Sequence, residues 1–237
     1  MSHTRRLLDA LPAVLAALAC DAAAASGWPE LPVPPGAQAF DVGDDMRIDG
    51  LPIQVRGFLS PQPPARLADW FHARLGQPLV TSEHGGKTIL GQFRNGYYLT
   101  VQLENAGGGT RGLVAQSDMR TMAAGRNPSP AAHADWQSRL PDGTRILSLV
   151  QSRDGARSAQ HLVLASRDTL AGGAQALTRM LGGFGYAPAQ GRPGIPSPGL
   201  VLHFQGPDRD AMAVLTRKPD GSLSTVLSTS APAEGAR

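Results

Sequence analysis

Two stretches decide the fold: RGFLSPQPPARLADWFHARLG at residues 56–76 and LVLASRDTLAGGAQALTRMLG at residues 162–182. They align without a gap, placing Ser60 over Ser166, Leu75 over Leu181 and Gly76 over Gly182. Each reads as an apolar strand passing into a helix. In the first, Ser60 is the expected N-cap with Pro61 at the first helical position, where a missing N–H costs nothing. Leu67, Trp70, Phe71 and Leu75 then make a one-sided apolar stripe, and Gly76 stops the helix. In the second, Ser166 or Asp168 is the expected cap, Leu170, Ala174, Leu177 and Leu181 repeat the spacing, and Gly182-Gly183 ends it. Gly172-Gly173 weakens this second helix by about 1 kcal/mol per glycine relative to alanine, so packing onto a sheet must hold it.

The flanks agree in kind. Ahead of each helix stands a turn signal, VPPGA at Val33 and LPDGT at Leu140, followed by two expected strands: 37–42 with 51–59, and 145–151 with 160–165. Behind each helix three more are expected. In the first half these are 88–93, 97–103 and 112–116, separated by the hairpin signals RNG and NAGGGT. In the second they are 200–205, 211–217 and 223–228, separated by GPDRD and KPDGS. The expected architecture is α+β: two tandem ββαβββ repeats, each an antiparallel sheet with one helix packed on a face. The repeats span 26–122 and 139–231, with a linker at 123–138, where Trp136 is the expected anchor, and a tail at 232–237.

Residues 1–25 form a separate block. Arg5 and Arg6 precede an apolar run at 11–19, and small residues follow. That is the order of an export signal, and the run is shorter than the roughly 20 residues a spanning helix needs. Two processing routes fit. Ala25 followed by Ser26 satisfies the small-residue rule for ordinary signal cleavage, whereas ALAC at 17–20 resembles a lipoprotein cleavage box in which Cys20 becomes the acylated first residue. Cys20 is the only cysteine of the chain, so disulfides, thiolate-held metals and a cysteine nucleophile are excluded downstream of it. The formal charge of +3 and pI near 9.5 do not indicate nucleic acid, because the basic residues are dispersed and not interleaved with aromatics.

No stretch carries a catalytic signature. The six histidines include no pair at H-E-x-x-H spacing; His161 and His203, both on expected strands, are the pair to consider for a hydrolase. TSEHGGKT at 81–88 ends like a phosphate-binding loop, but a helix precedes and a strand follows, the reverse of what that loop requires. DVGDDMRIDG at 41–50 holds four carboxylates without the ligand order of a calcium loop, and reads as a strand connection with solvated acids. GGFGYAPAQG at 182–191 lacks a dinucleotide fingerprint's context, and no serine sits in a G-x-S-x-G elbow. Tyr97 and Tyr98 on one strand place one ring on each sheet face. The exposed one of the two, with the Gly107, Gly108, Gly109 loop and the Gly85, Gly86 loop, makes the candidate contact surface.

The expectation is an exported, non-catalytic binding, adaptor or assembly component of a bacterial envelope, needing no cofactor or metal and partnered by another envelope protein. It would be periplasmic or secreted, or anchored as a lipoprotein. The alternatives are a ligand-binding module using the crevice between the repeats, and a hydrolase. Intact mass after expression in a Gram-negative host separates the processing routes: a mass beginning at acylated Cys20, lost in Cys20→Ser, marks the lipoprotein, and a mass beginning at Ser26 in both marks simple cleavage.

Overall fold

Paired residues of positive φ set the hairpins. Asp49-Gly50, Gly85-Gly86 and Asn95-Gly96 each place two successive residues at φ between 51° and 81°, the turn geometry whose twist matches that of paired strands. The computed structural model describes residues 27–189 and 199–233. The expected export signal, with Cys20, Ala25 and Ser26, lies outside the described residues. The described residues from Leu31 onward form one compact unit.

The first half runs β1 (Gln38–Asp41), β2 (Asp44–Ile48), β3 (Leu51–Ser60), α1 (Pro64–Leu75), β4 (Val80–His84), β5 (Lys87–Arg94), β6 (Tyr97–Asn105) and β7 (Thr110–Asp118). Two helices follow, α2 (Arg120–Ala123) and α3 (Ser129–Gln137). The second half runs β8 (Arg145–Asp154), β9 (Arg157–Ser166), α4 (Leu170–Gly183), β10 (Ala187–Pro188), β11 (Gly199–Gly206), β12 (Arg209–Arg217) and β13 (Leu223–Pro232). The thirteen strands of the described residues belong to one antiparallel sheet in the order β10-β11-β12-β13-β9-β8-β2-β3-β7-β6-β5-β4, with β1 beside β3. The chain is therefore α+β, as expected. Each half carries one strand more behind its helix than expected, β4 and β10, and β2 occupies the acidic stretch read as a loop.

That unexpected strand joins the halves. β2 pairs with β3 on one side and β8 on the other. Asp49, in the turn after β2, exchanges backbone hydrogen-bonding with β8: its N–H donates to the Leu149 carbonyl at 2.8 Å, and its Oδ1 accepts the Leu149 N–H at 2.7 Å. His133 of α3 meets the same Oδ1 at 2.9 Å. The expected linker is thus fastened to the junction, and its Trp136 packs on the second core, against Phe184, with its indole N–H donating to Gln160.

Two apolar clusters lie under the helices. α1 packs on β5 and β6, burying Leu67 and Phe71 against Phe58, Leu90, Val101, Leu103 and Val114. α4 packs on β10, β11 and β12, burying Leu177 and Leu181 against Phe204, Leu215 and Leu223. Both caps differ from expectation. α1 begins at Pro64 with Pro63 as N-cap, because each proline bars the preceding residue from helix; the Ser60 hydroxyl instead accepts the Gln62 N–H. α4 is capped by Thr169, whose hydroxyl accepts the Gly172 N–H at 3.0 Å, while Ser166 accepts the Asp168 N–H. Gly173 is explained by close approach, since a Cβ there would lie 2.5 Å from Leu223 Cδ2.

Gly173→Ala is expected to lower the melting temperature, the overpacking cost of about 1–3 kcal/mol exceeding the gain of about 1 kcal/mol in helix propensity. Gly182→Ala, where a Cβ meets nothing within 4 Å, is expected to raise it. In urea titration Asp49→Ala should lose about 1–3 kcal/mol by stranding the Leu149 N–H. Asp49→Asn, which keeps an acceptor and tolerates positive φ, should lose less than half of that.

Candidate functional site

Register decides which side of the sheet each residue faces. Directly opposed residues share a face and successive residues alternate, so Phe58, Gly112 and Leu103 lie together on the side covered by α1. The same side continues through the row Pro52, Arg47, Gln151 and Gln160 to the side of β9 that faces α4. Both long helices therefore cover one face of the continuous sheet, and among the described residues the other face is bare of helices.

The bare face is rich in apolar side chains. In the first half, one row runs Phe40, Gly57, Leu113, Gln102, Ile89 and Ser82. The next runs Val55, Ala115, Thr100, Gly91 and Val80. A third runs Met46, Ile53, Ser117, Tyr98 and Phe93. No charged residue stands in these three rows. Phe40, Leu59, Val80, Phe93, Tyr98 and Leu113 are exposed, and all six point to this side. In the second half, a row of valines, Val163, Val226, Val214 and Val201, crosses the same face, with Val201 and Val226 exposed beside Met212.

Glycines let aromatic rings lie against this surface. A Cβ on Gly57 would fall 2.2 Å from the Phe40 ring, and one on Gly91 would fall 2.8 Å from the Tyr98 hydroxyl. The rings consequently lie over their neighbours' backbone. Tyr97 and Tyr98 divide between the faces as their adjacency requires. Tyr97 is 8% exposed under the Arg120 guanidinium, whereas Tyr98 is 44% exposed on the bare face.

The two glycine loops sit at the same end of the strands, just beyond the row His84, Lys87, Glu104 and Arg111, and Tyr98 lies toward the other end. Gly85 and Gly86 form the exposed β4–β5 turn, with open space where their Cβ atoms would be, which settles the GGKT stretch as a hairpin. Gly107 and Gly108 turn the β6–β7 hairpin. Gly109 abuts the start of the α1 segment, its Cβ position 2.2 Å from the Ser60 carbonyl, and Thr110 donates to the Gln62 carbonyl nearby at 2.7 Å. These residues are not brought together with Tyr98 into one pocket.

Charge on the first-half face is confined to the row Gln38, Leu59, Arg111, Glu104, Lys87 and His84. There Arg111 bonds Glu104 at 2.8 Å and Lys87 approaches it at 3.8 Å. The Arg111 hydrogen bond, with Lys87 beside it, holds the Glu104 carboxyl below its ordinary pKa. Both cations turn to this one carboxylate, which leaves the row a formal charge of +1.

His161 and His203 do not meet. They stand in one row, His161, Ser228, Met212 and His203, three strand spacings or about 14 Å apart. His161 Nδ1 bonds the Ser228 hydroxyl at 2.8 Å. An open depression of about 430 Å³ follows this row. A larger groove of about 1110 Å³, at the ends of β9 and β13, is lined by Arg145, Arg167 and Lys218 together with Asp142, Asp168 and Asp220, so its formal charges balance. Both depressions lie in the second half, not in a crevice between the halves. Among the described residues no group of three His, Cys, Asp or Glu side chains is placed to hold a metal ion, and no helix is long and apolar enough to cross a membrane.

Comparison of the chain with family models, curated proteins and solved structures returned no match.

Proposed function

We propose that the protein is an exported envelope component that acts by binding, as an adaptor or assembly module, and that the bare sheet face is its working surface. The observation carrying this reading is the concentration of exposed apolar side chains on that one face, six of them in the first half. A half-solvated antiparallel sheet ordinarily turns polar residues outward, and a contiguous exposed apolar surface marks a site of association. The leader at 1–25 supports a periplasmic or secreted location, with Cys20 as a membrane anchor under the alternative processing.

The scaffold is read as two tandem copies of one unit. In support, the strand order outward from the junction is β2-β3-β7-β6-β5-β4 on one side and β8-β9-β13-β12-β11-β10 on the other, with a helix after the second junction-proximal strand in each. The unit thus becomes ββαββββ, with β1 an addition to the first copy. A ligand-binding role draws instead on the depression between His161 and His203; it requires a rise in melting temperature with wall fragments, lipids or ions.

A photo-crosslinking residue replacing Tyr98 in the exported protein tests the binding face, with Arg66 on the exposed side of α1 as control. Discrete protein adducts from position 98 and none from position 66 are expected. Equal labelling at both, or none at 98, overturns the reading.

A further inference from the structure

Resting on the binding-face reading above, we infer that the bare face of the first half pairs with the same face of a second copy of this chain, sheet against sheet. Strand twist of about 20–25° per pair accumulates across the sheet, so the first-half face is a surface of its own. The strands β3, β4, β5, β6 and β7 that cross the face are 5 to 10 residues long; at about 4.8 Å between strands and about 3.4 Å per residue they present about 670 Å². A specific interface takes about 600–1,000 Å² from each partner, so this one face falls within the size required.

Its chemistry suits a copy of itself. A twofold interface must be self-complementary, and the three rows beyond the charged one, carrying Leu113, Val55, Ile89, Tyr98 and Phe93, are uncharged and apolar enough to meet their like. Arg111, Glu104 and Lys87 stand in a single row at one end, where both cations turn to the one carboxylate and a formal charge of +1 remains. That residual charge falls at the rim, where interfaces are polar and wet and water can solvate it. Shape agrees: a twisted antiparallel sheet is complemented by a sheet of the same twist lying about 10 Å away at about 30°. The rings of Phe40 and Tyr98, set down over Gly57 and Gly91, keep the surface low enough for that approach.

Sedimentation velocity over a concentration series, on the chain purified after expression from its full coding sequence, tests the pairing. The wild type is expected to reach a dimer. Leu113→Glu and Phe93→Glu should each raise the dimer dissociation constant at least about 100-fold, because a charge is placed on an apolar surface that faces its own copy. Val226→Glu, on the second half, should leave it unchanged. Melting curves of the variants establish that they are folded. As a measurement independent of the charge variants, Leu113→Cys in a Cys20→Ser background should react with a maleimide more slowly above the dimerisation concentration than below it.

A wild type monomeric at all concentrations overturns the pairing. If position 98 still crosslinks to another protein, the binding-face reading survives that failure; if it crosslinks to nothing, both fail. A dimer that persists in Leu113→Glu and Phe93→Glu places the interface elsewhere and overturns the pairing as well. So does a monomer that floats with phosphatidylglycerol vesicles in a Phe93-dependent manner, which assigns the face to a lipid surface.

Discussion

The pairing of β2 with β8 is the constraint on which the rest of the structure depends. Each half could bury one helix against its own strands, but only this pairing makes them one sheet, and its register decides which way each half faces. Because Arg47 opposes Gln151, and because side chains alternate, the sides carrying α1 and α4 become the same side. A shift by one residue would turn one half over and place its helix on the opposite face. Asp49 holds the register, binding Leu149 through both its backbone and its carboxylate while His133 of α3 binds the same oxygen.

From that arrangement follows, among the described residues, a sheet with helices on one side and a bare strand surface on the other. The covered side is conventional: Phe71, Leu67, Leu177 and Leu181 leave water entirely or nearly so, each contributing about 1.5–3 kcal/mol by burial. On the uncovered side, Phe93 at 53% and Val80 at 70% exposure forgo that gain within the monomer. A sheet layer reaches a stable solution when its apolar face is buried against another layer. The described chain supplies one layer of helices for a two-faced sheet, and this asymmetry underlies the proposal of a binding role.

Much of the fold was legible in particular residues. The stripe of Leu67, Phe71 and Leu75, the stop at Gly76, the turn at Asn95-Gly96 and the division of Tyr97 from Tyr98 follow from local periodicity and backbone sterics, and the structure has each of them. The misread places are those where local signals compete. Ser60 resembles a cap, but the prolines at 61, 63 and 64 delay the helix. The acids at 41–50 resemble a solvated loop, yet Asp44, Asp45 and Arg47 sit in β2, their polarity tolerated because the strand is largely exposed. Gly173 resembles a flaw in a helix and is a point of close approach to Leu223.

The candidate surface was only partly legible. Tyr98 could be found by adjacency to Tyr97, but Phe40, Leu59, Phe93 and Leu113 belong to four different strands, and nothing local distinguishes them from core. By itself the sequence determined the two long helices with their apolar stripes and ten of the thirteen described strands with their turns, because these depend on interactions within a few residues; β2, β4 and β10 were not legible there. Only the tertiary structure decided that the halves share one sheet and that both helices lie on the same side. Those outcomes rest on contacts spanning about a hundred residues, such as Asp49 with Leu149, whose register no short-range pattern encodes.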